Sequence, residues 1–330
     1  MADTLPCLAV LATGGTIAGA ADPRSQAGYD AGRISGASLI AAVPGLDRLA
    51  RFSTEQVAAI GSQDMTDAVW FALAVRIRAL AADPATDGIL VIHGTDTMEE
   101  TALFLSLVSD TEKPVVMVGA MRPSTAVSAD GPANLGEAAL VATAPQARGR
   151  GVLVVLNDTI HGAADVTKTS TTALETFRSP NFGPVGAVTP NGAVFFAPPA
   201  ARTVYGLPAQ AALPPVGIVF AHAGMDAAPV AALVAAGVRG IVLAGVGDGN
   251  AATPVIAALA AAVKAGIVVV RASRAGAGAV MRNIEIDDDR LGFIAAGYYN
   301  PAKARVLLQV LLAHGIADAA GVQRAFDRPA

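Results

Sequence analysis

The chain of 330 residues has a single cysteine, Cys7, so no disulfide can close within it. No run approaches the ~20 apolar residues that a membrane span requires. No basic stretch stands out and the net charge is −4, so the electrostatic footprint of a nucleic-acid binder is missing. Lysine is absent before Lys113, which removes the Gly-Lys-Ser/Thr ending that a P-loop needs from the N-terminal glycine-rich turns. His93, His161, His222 and His314 are scattered, without zinc-ligand spacing. Asp287-Asp288-Asp289 lacks the alternation and the glycine of a calcium loop, and reads as a solvated turn. No metal and no cofactor are expected. The opening Met1-Ala2-Asp3-Thr4-Leu5-Pro6 has no charged n-region, apolar h-region or cleavage site. With the lone cysteine this sets a cytoplasmic expectation, the periplasm being the alternative if a leader was removed from the sequence.

What is present is a core former. Hydrophobic residues make up 53% and charged residues 15%, which suits an α/β protein. Apolar runs of strand length at 7–12, 57–60, 89–92, 115–118 and 152–156 alternate with helical patterns near 66–82, 97–110 and 132–144. Such alternation implies a mostly parallel sheet covered on both faces. The helix near 97–110 opens on Asp96-Thr97-Met98-Glu99, a capping arrangement with acids in the first turn. Prolines then punctuate 190–215, and alternation resumes with strands at 216–220, 239–243 and 266–270 and helices at 226–236, 252–265 and 301–313. The expected fold is α/β in two domains. A larger N-terminal domain with a mostly parallel sheet covers 1–192, a linker 193–214, and a smaller C-terminal α/β domain 215–330.

Two threonines end buried-looking strands in glycine-rich turns. Thr16 follows Leu8 to Ala12 in Thr13-Gly14-Gly15-Thr16, and Thr95 follows Ile89 to Ile92 in His93-Gly94-Thr95-Asp96. The carboxyl ends of parallel strands are where open α/β sheets place their chemistry. Gly14-Gly15-Thr16 breaks the G-x-G-x-x-G spacing of a dinucleotide site. A hydroxyl offered twice, once beside a carboxylate, points to a nucleophile. Such a hydroxyl needs a base or a charge stabiliser. Lys168, in Asp165-Val166-Thr167-Lys168-Thr169, can serve as base towards a hydroxyl in a partly buried cleft, and is otherwise a surface lysine. Ser62, Gln63 and Asp64 follow another short strand and offer hydroxyl, amide and carboxylate groups, or are plain turn and cap residues. With no aromatic cage and no phosphate clamp, this polar set suits a small zwitterion such as an amino acid.

These motifs, joined by Gly119-Ala120-Met121-Arg122-Pro123, Gly245-Val246-Gly247-Asp248-Gly249-Asn250 and Asn300-Pro301 with Lys303-Ala304-Arg305, run in order through nearly the whole chain. It closely resembles the bacterial L-asparaginases, most of all the type II-like branch, whose members convert asparagine to aspartate and ammonia. The resemblance implies that Thr16 is the nucleophile forming a β-aspartyl ester, and that Tyr29 on the loop at 20–36 closes over the site and assists it. It implies a second triad of Thr95, Asp96 and Lys168, in which Thr95 positions water or stabilises the oxyanion. Ser62, Gln63 and Asp96 would grip the substrate's α-carboxylate and α-amine. Glu285 and Asn250 would come from a neighbouring subunit of a homotetramer with shared sites. Asn250 stands where some dual-activity relatives have serine, which favours asparagine over glutamine. Two alternatives within the enzyme class are a dual glutaminase-asparaginase and the ammonia-producing module of a tRNA amidotransferase, for whose extra tRNA-facing domain the chain has no spare length. A third is a non-catalytic asparagine-binding protein, against which the intact set of catalytic residues speaks.

Overall fold

A computed structural model describes residues 5–21, 29–30, 32 and 34–328. The chain divides into two compact units, Met1–Leu207 and Pro208–Ala330.

The first unit is built on an eight-stranded sheet. Five neighbouring strands are parallel, in the spatial order Val152–Leu156, Val115–Val118, Gly88–Ile92, Cys7–Gly14, Arg51–Ile60. Thr159–Gly162, Gly186–Thr189 and Gly192–Phe195 extend it antiparallel on the Val152 side. The central strands are, Thr13 aside, without polar side chains because both faces are covered. Leu8, Val10, Ala12, Leu90 and Ile92 share one core with Leu135, Ala138 and Ala139 of the helix Gly131–Thr143. The helices Asp67–Ala82 and Met98–Val108 pack on each other, with Trp70 stacked on Phe104 at 4.9 Å and its indole N–H donating to Thr101 Oγ1 at 2.8 Å. Each fully buried side chain of this kind contributes about 1.5–3 kcal/mol.

The second unit has a four-stranded parallel sheet in the order Val216–Phe220, Gly240–Gly245, Val268–Ser273, Phe293–Ala295. Thr253–Lys264 and Ala228–Ala235 cover one face through Val255, Leu259 and Val230. Pro301–Ala313 lies against the strands from Val216, Gly240 and Val268; a Cβ at Gly240 would lie 2.6 Å from Leu308. The architecture is the α/β arrangement expected, with a large, mostly parallel N-terminal sheet and a smaller parallel C-terminal one.

Three local readings are corrected. The strand expected at 57–60 begins at Arg51. Its first six residues are mostly polar and exposed because this strand is the sheet edge, paired only with Cys7–Gly14. The helix after Asp96 starts at Met98 without a side-chain cap, since Thr97 Oγ1 donates instead to Ser62 O at 2.8 Å. The acidic run at 287–289 is not wholly solvated: Asp287 and Asp289 are exposed, but Asp288 is completely buried against Arg271.

A tight turn joins Val152–Leu156 to Thr159–Gly162, with Asn157 and Asp158 both left-handed (φ 51° and 59°), as a two-residue hairpin requires. Asn134 Oδ1 accepts from Asn157 N–H and Glu137 Oε2 from Asp158 N–H, each at 3.0 Å. Burial pushes Glu137 up to about 7; the Asp158 amide pulls it down and the Asp158 carboxylate adds to the rise. The protonated form is thus favoured by the fold. Its contribution is complete below the ordinary value of 4.5 and is lost as pH rises through about 7. With water still reaching the carboxyl, the effect is about 1 kcal/mol. Glu137→Gln is expected to melt at the same temperature as wild type at a pH of about 5 and roughly 2–4 °C higher at about 8, by thermal melts across that range. A lower melting temperature at the alkaline end would count against it.

Candidate active site

Three loops leave the carboxyl ends of adjacent parallel strands and interlock backbone to backbone. Gly15, left-handed at φ 83°, accommodates no side chain, because a Cβ there would lie 2.3 Å from Gly94 Cα. A Cβ on Gly94 would lie 2.7 Å from Ser62 Oγ. The glycines are therefore what brings the turns carrying Thr16, Thr95 and Ser62 together. Gly15 N–H donates to Ile60 O at 2.9 Å and Thr13 Oγ1 to Ile92 O at 3.0 Å, stitching the central strand to both neighbours.

Thr16 opens a single 3-10 turn, Thr16–Ala18, and is buried, as is Thr95. Lys168 Nζ donates to Thr95 Oγ1 at 2.9 Å and to Asp96 Oδ1 at 2.6 Å. The lysine side chain is 17% exposed and the aspartate 58%, so one partner faces the protein and the other water. Ser62 Oγ accepts from Asp96 N–H at 3.0 Å. Lys168 sits in a two-residue strand, Thr167–Lys168, paired antiparallel with Phe177–Arg178. The structure thus brings Thr95, Asp96, Lys168 and Ser62 together.

Glu99, read from sequence only as a first-turn acid, anchors that strand. Its Oε2 accepts from Lys168 N–H at 2.7 Å and from Thr167 Oγ1 at 2.5 Å while the residue itself is buried. A signal existed: Glu99 lies on the same helical stripe as the buried Ala102 and Leu103, where a carboxylate requires partners. His93 is fully buried and its Nδ1–H donates to Gly94 O at 2.6 Å. Burial lowers its pKa to about 4 despite that bond, so it brings no charge to the site at neutral pH.

The remaining expected residues are placed as follows. Gln63 is exposed and its Nε2 donates to Asp64 Oδ2 at 3.2 Å. Tyr29 contributes backbone to a short strand, Tyr29–Asp30, and its side chain lies outside the described residues, as does most of the loop at 20–36. Asn250 and Glu285 belong to the second unit and meet each other there, Asn250 Nδ2 donating to Glu285 Oε2 at 3.0 Å. Among the described residues no group of three or more His, Cys, Asp or Glu could hold a metal ion. The chemistry available is that of hydroxyls, one ammonium and carboxylates.

The site is thus a parallel α/β sheet with two buried threonines at the carboxyl ends of its strands, one of them bonded to a lysine. The chain belongs to the asparaginase family: residues 7–201 match "Asparaginase, N-terminal" and residues 215–326 the "Glutaminase/Asparaginase C-terminal domain". It is 47% identical over 329 residues to L-asparaginase 2 of Escherichia coli, covering 98% of this chain and 93% of the relative. It is 48% identical over 312 residues to a protein of Haemophilus influenzae named "Probable L-asparaginase periplasmic", covering 93% and 89%. A glutaminase-asparaginase of Pseudomonas fluorescens is 41% identical over 323 residues, covering 96% and 89%.

Proposed function

We propose that this chain is an L-asparagine amidohydrolase, acting through an acyl-enzyme on Thr16. The observation that carries the reading is Lys168 bonded to both Thr95 and Asp96, beside the interlocked turn that bears Thr16. In this reading Thr16 Oγ attacks the side-chain amide carbon. The Thr16 hydroxyl proton leaves with the amide nitrogen as ammonia, and water then cleaves the β-aspartyl ester to aspartate and restores the Thr16 hydroxyl. Thr95, Asp96 and Lys168 handle water and the developing charge, while Ser62, Gln63 and Asp96 hold the amino-acid end. Tyr29 assists from its loop.

The same reading makes the enzyme a homotetramer in which Asn250 and Glu285 complete a neighbour's site. It is supported by the exposed apolar side chains beside them, Met281 and Ile284 being 53% and 64% exposed in this chain alone. As for the compartment, Cys7 favours the cytoplasm, whereas the printed name of the Haemophilus relative favours the periplasm. No described helix is long and apolar enough to cross a membrane.

A dual glutaminase-asparaginase is the second reading, favoured by the name of the Pseudomonas relative. Ammonia release from L-asparagine and L-glutamine in parallel separates the two. The expected result is asparagine preferred by roughly 10- to 200-fold, the range one methylene can be worth. Comparable rates would move the chain to the dual group, and silence on both would refute the amidohydrolase.

A further inference from the structure

Arg271, in the strand Val268–Ser273, is completely buried and spends all five of its N–H donors. Nε and Nη2 grip Asp288 Oδ1 and Oδ2 at 2.6 and 2.7 Å. Nη1 donates to Asp248 O at 2.7 Å and Gly249 O at 3.3 Å, and Nη2 to Met281 O at 3.2 Å. The carbonyls belong to two loops that are far apart in sequence. One is the turn 246–250, closed by paired backbone bonds between Val246 and Asn250; it ends in Asn250. The other, 281–288, carries Glu285.

Both loops are folded down onto the guanidinium. Gly249, left-handed at φ 73°, leaves no room for a side chain: a Cβ would lie 2.9 Å from Val280 Cγ1 and 3.1 Å from Arg271 Nη1. Asp288 Oδ2 also accepts from Asn283 N–H at 2.8 Å, and Asp248 Oδ1 from Met281 N–H at 2.8 Å, a second tie between the same loops. The outer end of this stack is the Asn250–Glu285 hydrogen bond, on an exposed surface. A buried ion pair can often be replaced by apolar residues without loss of stability. What apolar residues cannot replace is a rigid fork that fixes two loops at once.

We propose that Arg271, oriented by Asp288, is a positioning residue that sets the geometry of the Asn250–Glu285 pair and acts on catalysis through it. The inference rests on the role given above to Glu285. Lysine keeps the charge opposite Asp288 but lacks the fork, so the guanidinium's simultaneous hold on both loops is lost and, beneath the Asn250–Glu285 pair, only the Asp248–Met281 tie remains.

The test is a double-mutant cycle on asparagine turnover with wild type, Arg271→Lys, Glu285→Ala and the double variant, at a temperature where each is folded by circular dichroism. Arg271→Lys is expected to lower kcat/KM about 30- to 100-fold, with KM raised and kcat reduced, the cost of displacing a positioned group by about 1 Å. In the Glu285→Ala background the same change is expected to cost no more than about threefold, because the two act as one unit. Asp248→Ala, which cuts the outer tie and leaves the buried pair intact, gives the same cycle with about a fivefold loss and carries the test if Arg271→Lys does not fold. Wild-type kcat/KM in the folded variants, or an equal loss with and without Glu285, overturns the proposal while leaving the role of Glu285 intact. A Glu285→Ala enzyme with wild-type kinetics overturns that role and the proposal with it. A wild-type chain silent on asparagine overturns the amidohydrolase reading.

Discussion

Thr16→Ala is expected to lower asparagine turnover by about 10⁴-fold or more while leaving the affinity for asparagine within a few-fold of wild type. The substitution removes one hydroxyl and little else. The turn that holds residue 16 is fixed by backbone: Gly19 N–H donates to Thr16 O at 2.8 Å and Gly15 N–H to Ile60 O at 2.9 Å. The steric lock between Gly15 and Gly94 is likewise independent of the side chain. Ser62, Gln63 and Asp96, assigned to the amino-acid end, sit on other loops and keep their hydrogen bonds. Ammonia release gives the rate, and isothermal titration of the variant with asparagine gives the affinity. A variant that loses binding and rate in equal measure would make Thr16 a binding residue. One that keeps turnover would shift the nucleophile to Thr95.

The sheet centre and the meeting of these loops were largely visible in the sequence, and for a physical reason. Strands buried on both faces read as unbroken apolar runs, and backbones that touch demand glycine. Leu8 to Ala12 followed by Gly14-Gly15, and Ile89 to Ile92 followed by Gly94, therefore announce both the sheet centre and the meeting of two loops. The edge strand from Arg51 was legible only at its apolar end, since one-sided pairing leaves Arg51 to Gln56 in water. The short antiparallel strands between Thr159 and Phe195 carry no such run, and their pairing depends on the left-handed turn at Asn157 and Asp158.

Long-range polar partners were the least legible. Nothing beside Asp288 distinguishes it from Asp287 and Asp289; its burial is decided by Arg271, 17 residues earlier. Glu99 and Lys168 meet across 69 residues, and only the misplaced-looking acid on an apolar helix face hinted at it. Lys168 itself stood in the sequence between base and surface lysine. The fold takes it off the open surface, leaving its side chain 17% exposed and bonded to Thr95 and Asp96.

Lys168→Met is expected to reduce kcat by about 10²–10⁴-fold, the usual worth of a positioned proton-transfer group. Methionine keeps an unbranched stem in the same space and removes the ammonium. The fold should tolerate it. Asp96 is 58% exposed and can return to water, so losing the ion pair costs about 0–1 kcal/mol. The strand stays anchored, because Glu99 bonds the backbone N–H of residue 168 and the Thr167 hydroxyl, neither of which changes. A large fall in rate with a nearly constant melting temperature is therefore chemical in origin. Lys168→Arg then asks which chemistry. Arginine keeps a cation beside Asp96 but holds its proton throughout, so it can neutralise the carboxylate without taking a proton from the Thr95 side. If Lys168 moves a proton, Lys168→Arg remains within about tenfold of Lys168→Met, and the expected result is this one. Recovery of most of the wild-type kcat by arginine would instead confine Lys168 to balancing the charge of Asp96, leaving activation of the hydroxyl to groups on other loops.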